Sequence, residues 1–250
     1  MSAWIFLRGL TRESRHWGDF PSVFRNVIPD AEIVALDLPG NGRLNRMTSP
    51  DSVGAMADYC RAELLARGIR PPYRLLAMSL GAMVAVDWAT RHPAELDGCV
   101  LINTSLRPFS PFFHRLRPAN YPALLKLALL GGSAAAWEET ILRLTSRSIG
   151  NRAAILESWV ALRHGHSVAR RNALRQLLAA GRFCAPAAPP SARLLVLASA
   201  HDALVDPRCS RRLAHRWRTA YAEHAQAGHD IPLDDGAWVA EQVLQWLRMA

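Results

Sequence analysis

The chain has 250 residues, half of them hydrophobic, and a formal net charge of +9 at pH 7. This length favours one large α/β domain with an insertion over two independent domains, and no apolar run approaches the roughly eighteen residues of a membrane helix, so we expect no membrane insertion. The cysteines are widely spaced without a CxxC pair, which indicates neither a disulfide framework nor a zinc ribbon and favours a reducing, cytoplasmic environment. They are Cys60, Cys99, Cys184 and Cys209.

Strand-like and helix-like segments alternate along most of the chain. Aliphatic and β-branched runs predict strands at residues 3–8, 32–37, 73–78, 98–103, 193–198 and 218–224. Cap and stop residues such as Ser52, Gly68 and Asp235 help to predict helices at 17–27, 52–67, 80–91, 208–216 and 236–248. The first apolar stretch, in "MSAWIFLRGL", is short and has no basic segment before it, which favours a strand over a secretory signal. The alternation predicts an α/β fold with a mainly parallel, doubly wound sheet covered by helices on both faces.

Residues 104–186 break this alternation and predict a helical lid inserted into the sheet domain. The segment is helical in pattern, rich in Ala, Leu and Arg, punctuated by prolines, and followed by a strand after the connector "CAPAAPPSA". It also holds the charge imbalance, because twelve basic and three acidic residues lie between Thr104 and Arg182 while the charges elsewhere cancel. We therefore divide the chain into an α/β core, residues 1–103 and 187–250, and a lid, residues 104–186.

A serine stands where the third predicted strand meets the helix that follows it. In "AMSLG", the small residues Ala77 and Gly81 flank Ser79, as a tight turn from strand to helix requires. The pattern is close to the G-x-S-x-G nucleophile elbow, in which a strained turn exposes the hydroxyl above the sheet. The alternative is that Ser79 only caps the helix. Ser79 is expected at the carboxyl edge of a parallel sheet, where ligands bind, and the choice between the two roles depends on residues elsewhere in the chain.

A serine nucleophile needs a base and an acid that orients the base, and the chain offers both in loops after later strands. Asp202 follows the strand at 193–198, and His229 follows the strand at 218–224. The resulting order of Ser, Asp and His is the order expected for partners of the elbow. We therefore predict Ser79, Asp202 and His229 as the catalytic residues.

Other residues compete for the acid and base roles. Asp206, just before Pro207, is an alternative acid. His201 and His224 are weaker candidates for the base, because His201 adjoins the proposed acid and His224 falls within a predicted strand.

Main-chain N–H groups are expected to stabilise the oxyanion that would form at Ser79. One donor is the N–H of Leu80, because amides at the start of a helix point toward negative oxygens. The second is the N–H of Leu10, which follows Gly9 in the loop after the first strand.

Taken in order, these stretches resemble the α/β-hydrolase superfamily. "DLPGNG", residues 37–42, is similar to the family's Asp-x-Pro-Gly-x-Gly loop, and "AMSLGAM", "ASAHDALVDP" and "AGHDIPLDD" are similar to its elbow, acid loop and histidine loop. The resemblance spans residues 3–248 apart from the lid, and it implies the α/β-hydrolase fold and a carboxylesterase-like serine hydrolase. Two positions depart from the pattern: Arg8 replaces the usual histidine before Gly9, and Ala77 replaces the first glycine of the elbow. A serine at the elbow also argues against the aspartate-dependent dehalogenases and epoxide hydrolases of the superfamily.

The resemblance implies hydrolysis of a carboxylic ester, thioester or lactone through an acyl-enzyme, with no metal or organic cofactor. The basic lid favours an anionic substrate or an acidic carrier protein, and in fold, triad order and lid charge the chain is similar to pimeloyl-acyl carrier protein methyl ester esterases. Solvated helix faces are the alternative explanation of that charge. Candidate substrate contacts on the lid are Arg115, Arg117, Phe112, Phe113 and Trp159, for which a role in the lid's own core is the alternative.

Three other functions fit the sequence less well. Nucleic-acid binding is not expected, because no aromatic-basic stacking pattern or recognition helix accompanies the arginines. A metal site at His164 and His166 is not expected, because no Cys or acidic ligand cluster lies nearby in the sequence. A catalytically silent receptor or binding module of the same fold is favoured by Arg8 but has no need for all three predicted catalytic residues.

Overall fold

A single parallel sheet organises the chain. The computed structural model describes residues 2–147 and 150–249, and within them six strands follow the order β2-β1-β3-β4-β5-β6 with every neighbouring pair parallel. The strands are β1 (Ala3–Leu7), β2 (Ile33–Leu36), β3 (Tyr73–Met78), β4 (Leu96–Ile102), β5 (Arg193–Ser199) and β6 (Ala220–His224). The predicted strands are confirmed to within two residues. Because all strands are parallel, their carboxyl ends and the loops that follow them meet at one edge.

Four of the five helices whose bounds were predicted lie within one residue of those bounds. In the described residues the helices are α1 (Phe20–Val27), α2 (Val53–Ala66), α3 (Leu80–Arg91), α4 (Phe112–Arg115), α5 (Tyr121–Leu130), α6 (Ala134–Thr145), α7 (Arg152–Gly165), α8 (Arg170–Arg182), α9 (Arg208–Trp217), α10 (Ile231–Asp234) and α11 (Gly236–Arg248). The predicted start of the first helix at residue 17 is wrong. Gly18 has a φ of 53°, which separates the short 3₁₀ turn Ser14–Trp17 from α1.

Both faces of the sheet are covered, which explains why its strands read as continuous apolar runs. Along β1, Trp4 and Phe6 pack with α1 and α11 on one face, whereas Ile5 and Leu7 pack with α2 and α3 on the other. All four side chains are fully buried. The core is therefore two apolar layers separated by the sheet, and polar groups reach the interior mainly at the loop edge.

A helical insertion, α4 to α8, lies between β4 and β5, where the sequence predicts a helical segment. Two of its prolines stand at helix starts, Pro111 before α4 and Pro122 in the first turn of α5, where a missing N–H leaves no helical hydrogen bond unmade. None of the helices in the described parts of the chain is long and apolar enough to cross a membrane.

Candidate active site

Ser79 occupies a strained turn between β3 and α3. Its φ of 54° and ψ of −116° lie outside the regions that non-glycine residues ordinarily adopt. The side chain makes no capping hydrogen bond to the helix, so capping does not account for the serine. Such strain concentrates at functional sites, where the surrounding structure holds it in place. The hydroxyl is therefore presented at the carboxyl edge of the sheet by a turn whose conformation costs stability.

Close backbone packing around this turn explains its small residues. A Cβ atom at Gly81 would lie 2.5 Å from the Leu7 carbonyl oxygen and 2.7 Å from that of Arg8, so α3 can approach the end of β1 only with glycine there. Gly9 approaches the elbow from the other side, where a Cβ atom would lie 3.2 Å from the Cβ of Ser79. Ala77 is fully buried in the core.

Asp202 and His229 form a buried hydrogen-bonded pair. His229 Nδ1 lies 2.7 Å from Asp202 Oδ2, and both side chains are almost completely enclosed. The other carboxylate oxygen of Asp202 accepts hydrogen bonds from the amides of Leu204 and Val205, each 2.8 Å long, which fixes the carboxylate in the loop after β5. Since a carboxylate can only accept, the Nδ1 atom carries the proton and the Nε2 atom of a neutral imidazole is left as an acceptor.

The end of β4 brings the serine turn and the histidine loop together. Thr104 Oγ1 donates to the Ser79 carbonyl oxygen over 3.2 Å, and the neighbouring Asn103 Nδ2 donates to the His229 carbonyl oxygen over 2.7 Å. Asn103 Oδ1 also accepts from the amide of Ser199 at the end of β5. The side chains of Ser79 and His229, both within the described residues, form no direct hydrogen bond.

The structure separates Asp202 from the other candidates. Asp206 faces Arg208, which donates to both of its carboxylate oxygens over 2.9 and 2.6 Å, and that hydrogen bonding lowers the pKa of Asp206 to about 2. His224 Nε2 lies 3.1 Å from Asp235, and His201 is exposed. Asp202 is thus the acid that contacts His229, whereas Asp206 and His224 each have a different partner.

Two main-chain N–H groups near the Ser79 turn have no hydrogen-bond acceptor among the described residues. The amides of Leu10 and Leu80 donate no hydrogen bond to any residue within 2–147 and 150–249. Leu80 begins α3, where the helix dipole adds a partial positive charge, and Leu10 follows Gly9 beside the elbow. Main-chain N–H groups without an acceptor are the type of donor that can bind a negatively charged oxygen.

The order of these loops along the chain is that of a known family. A model of the alpha/beta hydrolase family matches residues 4–242. The chain belongs to this family. Two solved structures share its fold: an enol-lactonase from Burkholderia xenovorans LB400, with a TM-score of 0.80 and 16% identity, and a thermophilic esterase from Thermogutta terrifontis, with a TM-score of 0.77 and 19% identity. These alignments cover 99% and 100% of this chain and 91% and 90% of the other two.

Two of the curated relatives match shorter parts of this alpha/beta hydrolase. The pimeloyl-[acyl-carrier protein] methyl ester esterase of Chromobacterium violaceum is 34% identical over 92 residues, 37% of this chain and 34% of that protein. Protein ABHD14A of Danio rerio is 33% identical over 103 residues, 39% of this chain and 36% of that protein. The chain thus spans about a third of the length of these two curated relatives.

Arg8, which departs from the family pattern, has its own buried partner in this alpha/beta hydrolase. The guanidinium binds Asp230 with both nitrogens, 3.0 Å from Nη1 to Oδ1 and 2.5 Å from Nη2 to Oδ2. It also lies 3.5 Å from the sulfur of Met78 and 4.7 Å from the ring centre of Trp17. Sequence reasoning missed Asp230, although an unusual arginine before Gly9 and an acid directly after His229 are signals that could have paired them.

Three predicted lid contacts lie at different depths in the helical insertion. Trp159 is buried, with its ring centre 4.1 Å from the Arg12 guanidinium and 5.5 Å from the His16 ring, so it packs against the loop after β1. Phe112 and Phe113 are 73% and 45% exposed and pack edge to face on each other. Trp159 therefore packs the insertion against the loop after β1, whereas the two phenylalanines lie at the surface of the insertion.

The two predicted arginines bind main-chain oxygens. Arg115 Nη2 donates to the Ala180 carbonyl oxygen over 2.6 Å, and burial lowers the pKa of its guanidinium. Arg117 Nη1 donates over 3.0 Å to the carbonyl oxygen of Asp202. These contacts tie α4 to α8 and the insertion to the acid loop.

A polar cluster joins the loop after β1 to the insertion. Arg12 Nη1 binds Glu138 Oε2 on α6 over 2.6 Å, and Glu138 Oε1 accepts from Arg163 on α7 over 3.0 Å. Burial, followed by the charge of Arg12, lowers the pKa of His16 well below its usual value, so this histidine stays neutral. His164 is exposed, and His166 Nδ1 lies 2.6 Å from the Arg15 guanidinium, a cation that opposes binding of a metal ion.

Proposed function

We propose that the protein is a serine hydrolase that cleaves a carboxylic ester, thioester or lactone through an acyl-enzyme intermediate. Ser79 is the nucleophile, His229 the base, and Asp202 the acid that orients His229. The N–H groups of Leu10 and Leu80 form the oxyanion hole. The observation that carries the proposal is the buried contact of 2.7 Å between His229 and Asp202 at the sheet edge where Ser79 adopts its strained turn.

The first half-reaction forms the acyl-enzyme. His229 Nε2 takes the hydroxyl proton as Ser79 Oγ bonds to the carbonyl carbon, and the carbonyl electron pair moves onto its oxygen. The Leu10 and Leu80 N–H groups bind that oxyanion. When the carbonyl re-forms, the bond to the alcohol, thiol or lactone oxygen breaks, and His229 returns the proton to that leaving group. Asp202 stays ionised and stabilises the imidazolium.

The second half-reaction releases the acid. Water gives a proton to His229 Nε2 and attacks the acyl carbon, a second oxyanion forms, and Ser79 leaves with the proton that His229 returns. The protein groups named here suffice for both steps, so the mechanism calls on no metal or organic cofactor.

We propose an anionic or carrier-bound acyl ester as the physiological substrate. The support is the charge of the insertion: α4, α5 and α8 contain no Asp or Glu, and the side chains of Arg107, Arg143 and Arg170 form no ion pair with any described residue. A basic surface accelerates encounter with an anionic partner and does so less at high salt. The esterase of Chromobacterium violaceum is named for a substrate on an acyl carrier protein, which agrees with this choice.

Hydrolysis of p-nitrophenyl esters from acetate to laurate, with Ser79→Ala alongside the parent, tests the chemistry. We expect Ser79-dependent turnover and covalent labelling of Ser79 by a fluorophosphonate. Turnover that survives in Ser79→Ala would overturn the assignment of the nucleophile. Labelling and turnover both absent from the parent would favour the other candidate, a silent binding module of the same fold.

Salt dependence tests the substrate class separately. For a carrier-linked acyl ester we expect kcat/KM to fall as ionic strength rises and to fall in Arg143→Gln/Arg170→Gln, while p-nitrophenyl butyrate is unaffected by either change. Equal effects on both substrates would contradict an electrostatic contact with the carrier.

A further inference from the structure

Thr11 has a backbone conformation that its side chain disfavours. Its φ of 58° is left-handed, a region in which β-branched residues are genuine outliers. It directly follows Leu10, in the loop of residues 9–12, which we call the oxyanion loop. Such an unfavourable backbone conformation persists only where contacts with neighbouring groups maintain it. A contact that maintains the conformation of Thr11 therefore also fixes the orientation of the adjoining peptide groups.

Gln176 on α8 supplies that contact. Its Oε1 atom accepts a hydrogen bond of 2.8 Å from the Thr11 amide, although the two residues are 165 positions apart. Its Nε2 atom donates to Asn41 Oδ1 over 2.7 Å and to Ser49 Oγ over 3.0 Å. The side chain is completely buried, and these partners admit only one orientation of the amide.

Asn41 extends the contact to the next residue of the loop. Its Nδ2 atom donates to the Arg12 carbonyl oxygen over 3.0 Å, while its Oδ1 atom accepts from Gln176. The loop closes on itself through the Arg12 amide, which donates to the Gly9 carbonyl oxygen over 3.2 Å. A single chain of hydrogen bonds therefore runs from α8 through Asn41 to both ends of the Thr11 turn.

We infer that Gln176 is a positioning residue that keeps the oxyanion loop in its left-handed turn and so keeps the Leu10 N–H aimed for catalysis. The claim that Gln176 orients the Leu10 N–H for catalysis rests on the proposed function. The claim that Gln176 maintains the conformation of the oxyanion loop does not. A helix of the insertion thereby completes the oxyanion hole of the sheet domain. Without Gln176, the Thr11 backbone is free to relax to an ordinary negative φ, and the Leu10 N–H turns with it.

Asn172 offers a matched control one turn earlier on α8. It is buried like Gln176, accepts from the Ser49 amide over 3.0 Å and donates to the Met47 carbonyl oxygen over 2.8 Å. It makes no hydrogen bond to residues 9–12. Replacing it weakens the docking of α8 on the core but leaves the oxyanion loop held.

The experiment compares Gln176→Met, which removes the side-chain amide at similar length, with Asn172→Leu, which removes an amide but keeps the branched arrangement of heavy atoms. Hydrogen exchange measured by mass spectrometry on a peptide covering residues 8–13 reports the loop directly. In Gln176→Met we expect the loop amides to exchange at least tenfold faster than in the parent, which is on the order of the change that loss of one buried hydrogen bond produces. In Asn172→Leu we expect the exchange rates of these amides to stay close to those of the parent.

Kinetics with p-nitrophenyl butyrate reports the catalytic consequence. We expect kcat of Gln176→Met to fall at least about tenfold with KM nearly unchanged, because an oxyanion donor acts mainly in the transition state. Affinity for an alkyl boronic acid, which forms a tetrahedral adduct on the serine, falls in parallel. Asn172→Leu keeps both values within about threefold of the parent.

If Gln176→Met folds and its loop amides exchange as slowly as those of the parent, the inference is overturned. It is also overturned if the loop amides of Gln176→Met exchange faster while its kcat for the ester equals that of an active parent. A parent that hydrolyses no ester overturns the proposed function instead, while the exchange comparison still decides whether Gln176 holds the loop. Thermal unfolding verifies that each variant is folded. If Gln176→Met does not fold, Gln176→Asn, whose shorter side chain withdraws from Thr11, carries the same expectations.

Discussion

Arg8 and Asp230 join the loop after β1 to the loop that carries His229. Arg8 directly precedes Gly9, and Asp230 directly follows His229, so their bidentate ion pair connects two parts of the candidate site that are 222 residues apart in the chain. Both side chains are buried, and Arg8 also contacts Met78 beside the serine turn. The arginine that departs from the family pattern thus has a carboxylate partner for its charge.

Loss of either member of this pair is expected to destabilise the protein strongly. Arg8→Met or Asp230→Leu leaves the partner as an uncompensated buried charge, which costs about 3–5 kcal/mol in the free energy of unfolding. The double variant removes both charges and is expected to lose less than the sum of the single losses. Urea unfolding of the parent, the two single variants and the double variant measures the coupling free energy between Arg8 and Asp230. If the loss in the double variant equals the sum of the two single losses, the two residues are not coupled.

An exposed ion pair provides the control for that comparison. Arg67 and Glu63 are four residues apart on the surface of the protein. Because water screens such a pair, Arg67→Met is expected to change the free energy of unfolding by no more than about 1 kcal/mol.

Two histidines in the same region are expected to respond differently to substitution. His229→Gln should lower kcat/KM for p-nitrophenyl butyrate by at least about 10³-fold, because the variant lacks the base that accepts the serine proton. His224→Gln is expected to retain most of the activity, because His224 contacts Asp235 and the amides of Gln226 and Ala227 but not Asp202. Steady-state kinetics of the two variants checks this, and a matching loss in both would count against His229 as the base.

Gly81→Ala is expected to damage the elbow. The new methyl group would lie 2.5 Å from the Leu7 carbonyl oxygen, so the end of β1 or the start of α3 would have to shift. We expect a loss of at least about 2 kcal/mol in the free energy of unfolding, together with lower activity, because overpacking against backbone is poorly relieved. Chemical denaturation and ester hydrolysis measure the two effects.

Gly181 on α8 is the matched control, because a Cβ atom there meets nothing within 4 Å. Gly181→Ala is expected to be neutral or to stabilise by up to about 1 kcal/mol, since alanine costs less conformational entropy in a helix. Equal losses in the two variants would show that close approach at Gly81 is not what requires glycine.

The pair of Asp206 and Arg208 is expected to add stability that depends on pH. The folded-state pKa of Asp206 is lowered from 3.8 to about 2, chiefly by the hydrogen bond from Arg208. A lowered pKa gives stability that is present above the unfolded value and is lost as the pH falls through the folded value. The free energies of unfolding of the parent and Asp206→Asn should therefore differ most above pH ~4 and converge toward pH ~2.

The size of that difference is on the order of 1 kcal/mol, because the Arg208 side chain is more than half exposed and water screens the pair. Unfolding free energies measured from pH 2 to pH 7 test it. A difference that does not narrow toward low pH would mean that Asp206 acts through some property other than its charge.

The local sequence pattern determined the sheet and the order of the loops. Apolar runs of strand length separated by helical stretches allow essentially one solution, a parallel sheet covered on both faces, and a parallel sheet gathers its following loops at one edge. For this reason the positions of Ser79, Asp202 and His229 near that edge could be predicted from residue types and spacing. The glycine at position 81 could be predicted as well, because a tight turn has a recognisable local composition.

Only the tertiary structure decided which polar groups meet. Asp202 and Asp206 lie four residues apart in one loop and look equivalent in sequence, but one faces His229 and the other faces Arg208. The partners of Arg8 and Thr11 lie 222 and 165 positions away, so no local pattern encodes them. Such contacts depend on how helices and loops pack, because burial imposes a partner on each polar group without specifying where along the chain that partner comes from.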